Sequence, residues 1–159
     1  LGEADFHALV VTDEALYGAD STTSRVLVSN DGGFTWQART GEAQLVDLAI
    51  DPADADRMVG VDLDRGLVVS NDGAGSWDPV DAAPELVDIE WTSIALVGLA
   101  ADGSVHRSTD AGRTWQQIAS LEGVQALGAD GVDLYAFATP DRFHRSSDGG
   151  ESWPLVAGR

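Results

Sequence analysis

Ser29-Asn30-Asp31-Gly32-Gly33-Phe34-Thr35-Trp36 is said three more times along this chain. Ser70 to Trp77 reads SNDGAGSW, Ser108 to Trp115 reads STDAGRTW, and Ser146 to Trp153 reads SSDGGESW. The opening serines stand 41, 38 and 38 residues apart, a period that belongs to repeat arrays. Each octet has the chemistry of a self-braced turn. Its Asp (Asp31, Asp72, Asp110, Asp148) can accept backbone N–H groups a few residues on. A glycine at the fourth or fifth place supplies positive φ without a Cβ penalty. The closing Trp (Trp36, Trp77, Trp115, Trp153) is expected to begin the next strand and cover the seam between units. The second octet departs, with Ala74 where the others have Gly33, Gly112 and Gly150.

Working outward from the octets, the chain overlays on itself as four units, about 5–40, 44–80, 85–120 and 123–157, each with four short strands. First strands are predicted at Phe6 to Val11, Leu45 to Ile50, Leu86 to Trp91 and Val124 to Ala129. Second strands follow at Ala15 to Ala19, Arg57 to Asp62, Ile94 to Leu99 and Asp133 to Ala138. Third strands run into the octets from Arg25, Gly66, Ser104 and Arg142, and fourth strands start at the tryptophans. Apolar runs bounded by turn residues suit strands buried on both faces. Asp51 to Asp56 and Asp130-Gly131 read as the links between first and second strands in units two and four. Nothing reads as a helix. The fold class is therefore all-β: a β-propeller of four-stranded antiparallel blades, four of them in this single segment of 159 residues. The run begins at an innermost strand and ends just after an outermost one, leaving edges exposed. The expectation is part of a larger propeller, completed by a missing half or by a second copy, with a closed four-blade ring as the alternative.

The octets resemble the Asp-box, or BNR repeat, of sialidases and related β-propellers. All four match at Ser (Ser29, Ser70, Ser108, Ser146), Asp and Trp. The wording of the repeats, with FHAL, VDLAIDP and DLYAFATPDRFHRSSDGGESW, is similar to uncharacterised actinobacterial exo-sialidase-like or glycosyl-hydrolase-like proteins. It is more distantly similar to photosystem II assembly factors and sortilin-type propellers. The resemblance implies a secreted or cell-envelope bacterial protein that hydrolyses or binds a glycan, or else a non-catalytic scaffold for protein binding and assembly. Sialidases use an arginine cluster, a Tyr–Glu nucleophile pair and an Asp acid/base. No Arg-Ile-Pro-like segment is present here, and Arg107 with Arg145, like Tyr17 with Tyr135, sit at matching repeat positions. A complete sialidase set is not expected, and fold alone does not decide function.

A catalytic centre does not recur with the period of a fold, so the octet Asp residues read as structural. Polar exceptions on the first strands are the better candidates for a ligand site. His7, Asp47, Asp88 and Gln125 read as one repeat-equivalent second position, a ring of polar groups aimed into the central channel. Glu90 and Trp91 break the apolar pattern of their strand. A Glu–Asp pair near an indole is a glycosidase-like combination, and a Trp filling a blade interface is the plainer alternative. His106 and His144 replace Leu27 and Val68 and read as structural. The acidic group Asp47, Asp51, Asp54, Asp56, Asp62 and Asp64 lacks the spacing of a calcium loop, so no metal and no cofactor are predicted.

Composition narrows the partners. There are 27 acidic residues against 9 basic ones, all arginine, for a formal net charge of -18. Such a surface repels phosphate backbones, so nucleic acid is not an expected partner. No apolar run approaches a membrane span. No cysteine is present, so no disulfide framework is available. The chain opens Leu1-Gly2-Glu3, without Met or a signal peptide, and reads as a processed product or a piece of something longer.

Overall fold

The computed structural model describes residues 4–158; the Leu1-Gly2-Glu3 opening and Arg159 lie outside the described residues. Among the described residues sixteen strands form four four-stranded antiparallel sheets, each a meander of consecutive strands. Blade one holds β1 (Phe6–Val11), β2 (Leu16–Asp20), β3 (Arg25–Ser29) and β4 (Gln37–Glu42). Blade two holds β5 (Leu45–Asp51), β6 (Asp54–Asp62), β7 (Gly66–Ser70) and β8 (Asp78–Pro79). Blade three holds β9 (Leu86–Trp91), β10 (Leu96–Ala100), β11 (Ser104–Ser108) and β12 (Gln116–Ser120). Blade four holds β13 (Val124–Asp130), β14 (Asp133–Ala138), β15 (Arg142–Ser146) and β16 (Leu155–Ala157). Blades one and two form one compact unit, residues 1–81, and blades three and four a second, residues 82–159. Among the described residues no helix is long and apolar enough to cross a membrane.

The third strands lie where the sequence places them, because the octet serine that ends each one is pinned by its own turn. The fourth strands do not. They begin at Gln37, Asp78, Gln116 and Leu155, one or two residues beyond the tryptophans. The link predicted over Asp51 to Asp56 is also shorter. Asp51 pairs directly with Asp54, and Pro52-Ala53 alone makes the turn, as Gly131-Val132 does between paired Asp130 and Asp133. Blades one and three close the same connection differently, through Thr-x-x-Ala. The Thr12 N–H and hydroxyl both donate to the Ala15 carbonyl (3.0 and 3.1 Å), and the hydroxyl accepts the Ala15 N–H (3.1 Å). Thr92 makes the same three bonds with Ala95.

One size rule organises each blade interior. Gly18, Gly60 and Gly98 sit mid-strand in β2, β6 and β10, where a Cβ would come within 2.4 to 2.5 Å of Phe6, Leu45 and Leu86 respectively. The bare backbone lets the large side chain at the start of the first strand fold across the sheet. Blade four makes the opposite exchange: Val124 is smaller than those residues, and buried Ala136 takes the glycine's place. Gly60→Ala should therefore cost about 1–3 kcal/mol through overpacking. Adding Leu45→Val should recover most of that, which chemical denaturation of the two single variants and the double would test as a coupling.

In the first unit, Ala8, Val10, Tyr17, Ala19, Val26 and Val28 of blade one pack on Leu45, Leu48, Met58, Val68 and Trp77 of blade two. In the second, Val97, Leu99 and Val105 of blade three pack on Val124, Leu127, Leu134 and Trp153 of blade four. The first strands are not uniformly buried. β1 alternates half-buried and exposed, and β13 is exposed along much of its length.

Candidate functional site

The octets come first because they recur. In each, the Ser hydroxyl donates to Asp Oδ1 at 2.7 to 2.9 Å and accepts the N–H of the fifth residue at 2.8 to 3.0 Å. The same Asp accepts the N–H of the seventh residue on Oδ1, at 2.8 to 3.0 Å, and its hydroxyl on Oδ2, at 2.5 to 2.8 Å. Trp36, Trp115 and Trp153 fold their indoles back, Nε1 donating to the carbonyl of Gly33, Gly112 or Gly150. In these three octets the return bond closes the turn, and in all four the strand begins beyond the Trp. The second octet departs where the sequence said it would. Ala74 adopts φ 64°, its carbonyl accepts the Gly41 N–H at 3.0 Å, and Trp77 Nε1 is buried without a hydrogen-bond partner.

This bracing favours the charged form of the octet carboxylates. The Thr35 hydroxyl and N–H, with Ser29, hold Asp31 down to about 2, and Ser152 with Ser146 holds Asp148 down to about 2. Asp72 and Asp110 are lowered by the matching bonds from Ser76 and Thr114. A carboxylate whose folded value is depressed contributes stability above its unfolded value and loses it as pH falls toward the folded one. The melting temperature should thus hold down to about pH 4 and fall steeply from there toward pH 2. A thermal-melt series across that range would check it.

The singled-out residues do not occupy one ring position. His7 and Gln125 are the second residues of their strands, Asp47 and Asp88 the third. His7 and Gln125 are skipped residues of the bulge in β1 and β13, whereas Asp47 and Asp88 are paired one step farther on, with Val61 and Leu99. His7 is exposed, 3.7 Å from Asp5, and the Gln125 amide reaches the Val124 carbonyl at 3.2 Å. Asp47 accepts the N–H of Leu48 at 2.9 Å. Asp88 accepts the N–H of Leu127 on blade four at 2.8 Å, so it clamps the seam of its unit. Glu90 pairs with Val97 and shares a face with Asp88; Trp91, paired with Leu96, lies on the opposite face.

The acidic group of blade two is held by arginines and backbone. Asp51 is buried, pairs with Arg57 and accepts the Ala53 N–H at 2.8 Å. Buried Asp62 accepts the N–H groups of Gln44, Asp64 and Arg65, and the Arg65 guanidinium, at 2.9 to 3.0 Å. Burial pushes the Asp62 carboxyl up, but the Arg65 side chain and these backbone bonds outweigh it, leaving it below the usual range. Asp20 is its counterpart in blade one, receiving Asp5 N–H at 2.9 Å and the Thr23 hydroxyl at 2.6 Å. Each ties the entry of its blade to the turn after the second strand. The only sequence signal for this pair is an Asp ending two successive second strands. His106 is lowered by burial, with Nε2 3.0 Å from the Ser104 hydroxyl, which itself donates to Asp102 at 2.6 Å.

No family model and no curated protein matches the sequence. Solved structures do share its fold. YCF48 from Cyanidioschyzon merolae superposes with a TM-score of 0.69 at 13% identity, over 99% of this chain and 57% of that one. A structure of YCF48 bound to D1 peptide gives 0.68 at 16%, over 96% and 55%. The GH74 xyloglucanase from Xanthomonas campestris gives 0.70 at 17%, over 99% and 31%. At such identities the likeness shows the fold, an all-β propeller of four-stranded antiparallel blades. The chain spans a little over half of the YCF48 chains and under a third of the xyloglucanase.

Proposed function

We propose that this chain is a non-catalytic propeller segment over residues 1–159 that supplies four blades to a larger binding propeller, and that its octets are Asp-boxes of the BNR type. The carrying observation is the fate of Asp88, the acidic residue with the most glycosidase-like setting: its carboxylate is engaged by the Leu127 N–H across a blade seam. A carboxylate in that role works for the fold. The likeness to a peptide-bound propeller covering only part of the partner's length agrees with a binding module.

Asp88→Ala should then lower stability by about 1–2 kcal/mol, since the Leu127 N–H loses its acceptor, while Asp88→Asn keeps part of the bond through its amide oxygen. Denaturant melts of both variants would measure this. An Asp88→Ala protein as stable as the parent would remove the basis of the reading.

A glycan-directed hydrolase is the second reading. It is favoured by the placement of Asp88 and Glu90 on one face, two residues apart and so about 7 Å by strand rise, and by the likeness to a xyloglucanase. Reducing-end release from xyloglucan that disappears in Glu90→Gln would establish it in place of the first. No release is expected.

A further inference from the structure

Both seams inside the units are built to one pattern. The giving face carries residues 17, 19 and 26 in blade one and 97, 99 and 105 in blade three; the receiving face carries Leu45, Leu48 and Trp77, or Val124, Leu127 and Trp153. By register, Tyr135, Phe137 and Phe143 of blade four stand at the giving positions, on the face turned away from blade three. The Tyr135 and Phe143 rings stack at 5.8 Å, and these side chains line an apolar groove with Ala126 and Gly128. Phe137 is 44% and Phe143 37% exposed. At the other end, Phe6, Leu9 and Trp36 of blade one stand at the receiving positions, on the face turned away from blade two. Phe6 packs against Trp36 with ring centroids 4.9 Å apart, and Leu9 is 57% exposed.

We propose that the Tyr135–Phe137–Phe143 face of blade four docks on the Phe6–Leu9–Trp36 face of blade one in a second copy of this chain. The assignment rests on the assembly part of the reading above. A second observation selects blade one of a copy as the occupant. Across the seam of the second unit, Arg107 reaches Glu151, the sixth residue of the next octet, at 2.9 Å. The repeat equivalents for the new seam are Arg145 and Phe34. Among the described residues Phe34 is the most exposed large apolar side chain, at 89%, and would offer a ring face to the Arg145 guanidinium, which Asp133 holds at 2.6 Å within blade four. The contact is heterologous, two different faces meeting head to tail. Because both copies carry a net charge of -18, added salt strengthens the association.

The test is the mass of the purified chain by light scattering at about 0.5 M salt, where repulsion is screened, with Leu9→Asp and Phe137→Asp as variants. Both positions are already exposed, so folding should survive, and a thermal melt checks that. The parent is expected at twice or more the 16.7 kDa of one chain, and each variant at the single-chain mass. A mixture of the two variants should recover dimers, because each retains the face the other lost. A parent at 16.7 kDa overturns the proposal, as does association that survives both substitutions or is broken by Phe137→Asp alone. None of these outcomes bears on whether xyloglucan is cleaved, so self-docking and the non-catalytic reading fail separately.

Discussion

Gly103→Ala should destabilise the chain by about 3 kcal/mol. Gly103 closes the turn between β10 and β11 at φ +85°, and a Cβ there would lie 2.5 Å from the Leu121 carbonyl oxygen. Two costs combine. Left-handed backbone costs an alanine about 1–2 kcal/mol, and the methyl meets backbone that cannot rotate away, adding about 1–3 kcal/mol of overpacking. The displaced segment is itself bonded to the turn, Leu121 N–H donating to the Gly103 carbonyl at 2.9 Å and Gly103 N–H to Ala100. Gly66→Ala separates the costs: φ is +71° there, and nothing lies within 4 Å of a Cβ. Urea denaturation should give Gly66→Ala only the smaller, conformational loss. Equal losses in both variants would mean that the Leu121 contact relaxes freely.

Ser146→Ala comes next, at about 2 kcal/mol. The Ser146 hydroxyl is buried, donates to Asp148 at 2.7 Å and accepts the buried Gly150 N–H at 2.9 Å. Alanine leaves that N–H without an acceptor in a place water does not reach, and an unmade buried bond costs more than a made one contributes. Ser152→Ala removes a bond to the same Asp from an exposed hydroxyl, so water replaces it and the loss should be well under that of Ser146→Ala. Equilibrium unfolding of both variants would show the difference. The order should hold in the other octets, because Ser29, Ser70 and Ser108 are buried in the same way.

The octet is what made the fold legible in the sequence. Ser, Asp and Trp at fixed spacing carry their own hydrogen-bond partners within eight residues, so the turn, and the third strand that feeds it, is decided locally. The fourth strands begin one or two residues later than the sequence suggests, whether the indole turns back onto its own loop, as Trp36 does onto Gly33, or stays unbonded, as Trp77 does. The four polar candidates do not share one repeat position: His7 and Gln125 are second in their strands and Asp47 and Asp88 third, an offset that lies in the sequence itself. The role of Asp88 was beyond local reading, since the N–H it holds belongs to a residue 39 positions away. Asp62 looked like one member of an acidic group because nothing nearby in sequence shows that it is buried under Arg65.

The second octet leaves the molecule with an internal lamp. Trp77 sits in the packed seam of blades one and two, with its indole N–H unbonded, while the indoles of Trp36, Trp115 and Trp153 are each tied to a carbonyl. Its light should therefore come from a drier, less polar surrounding than theirs. Loosening of that seam would register first as a red shift in this one component, so the parting of two blades can be watched in unlabelled protein before the sheets themselves unravel.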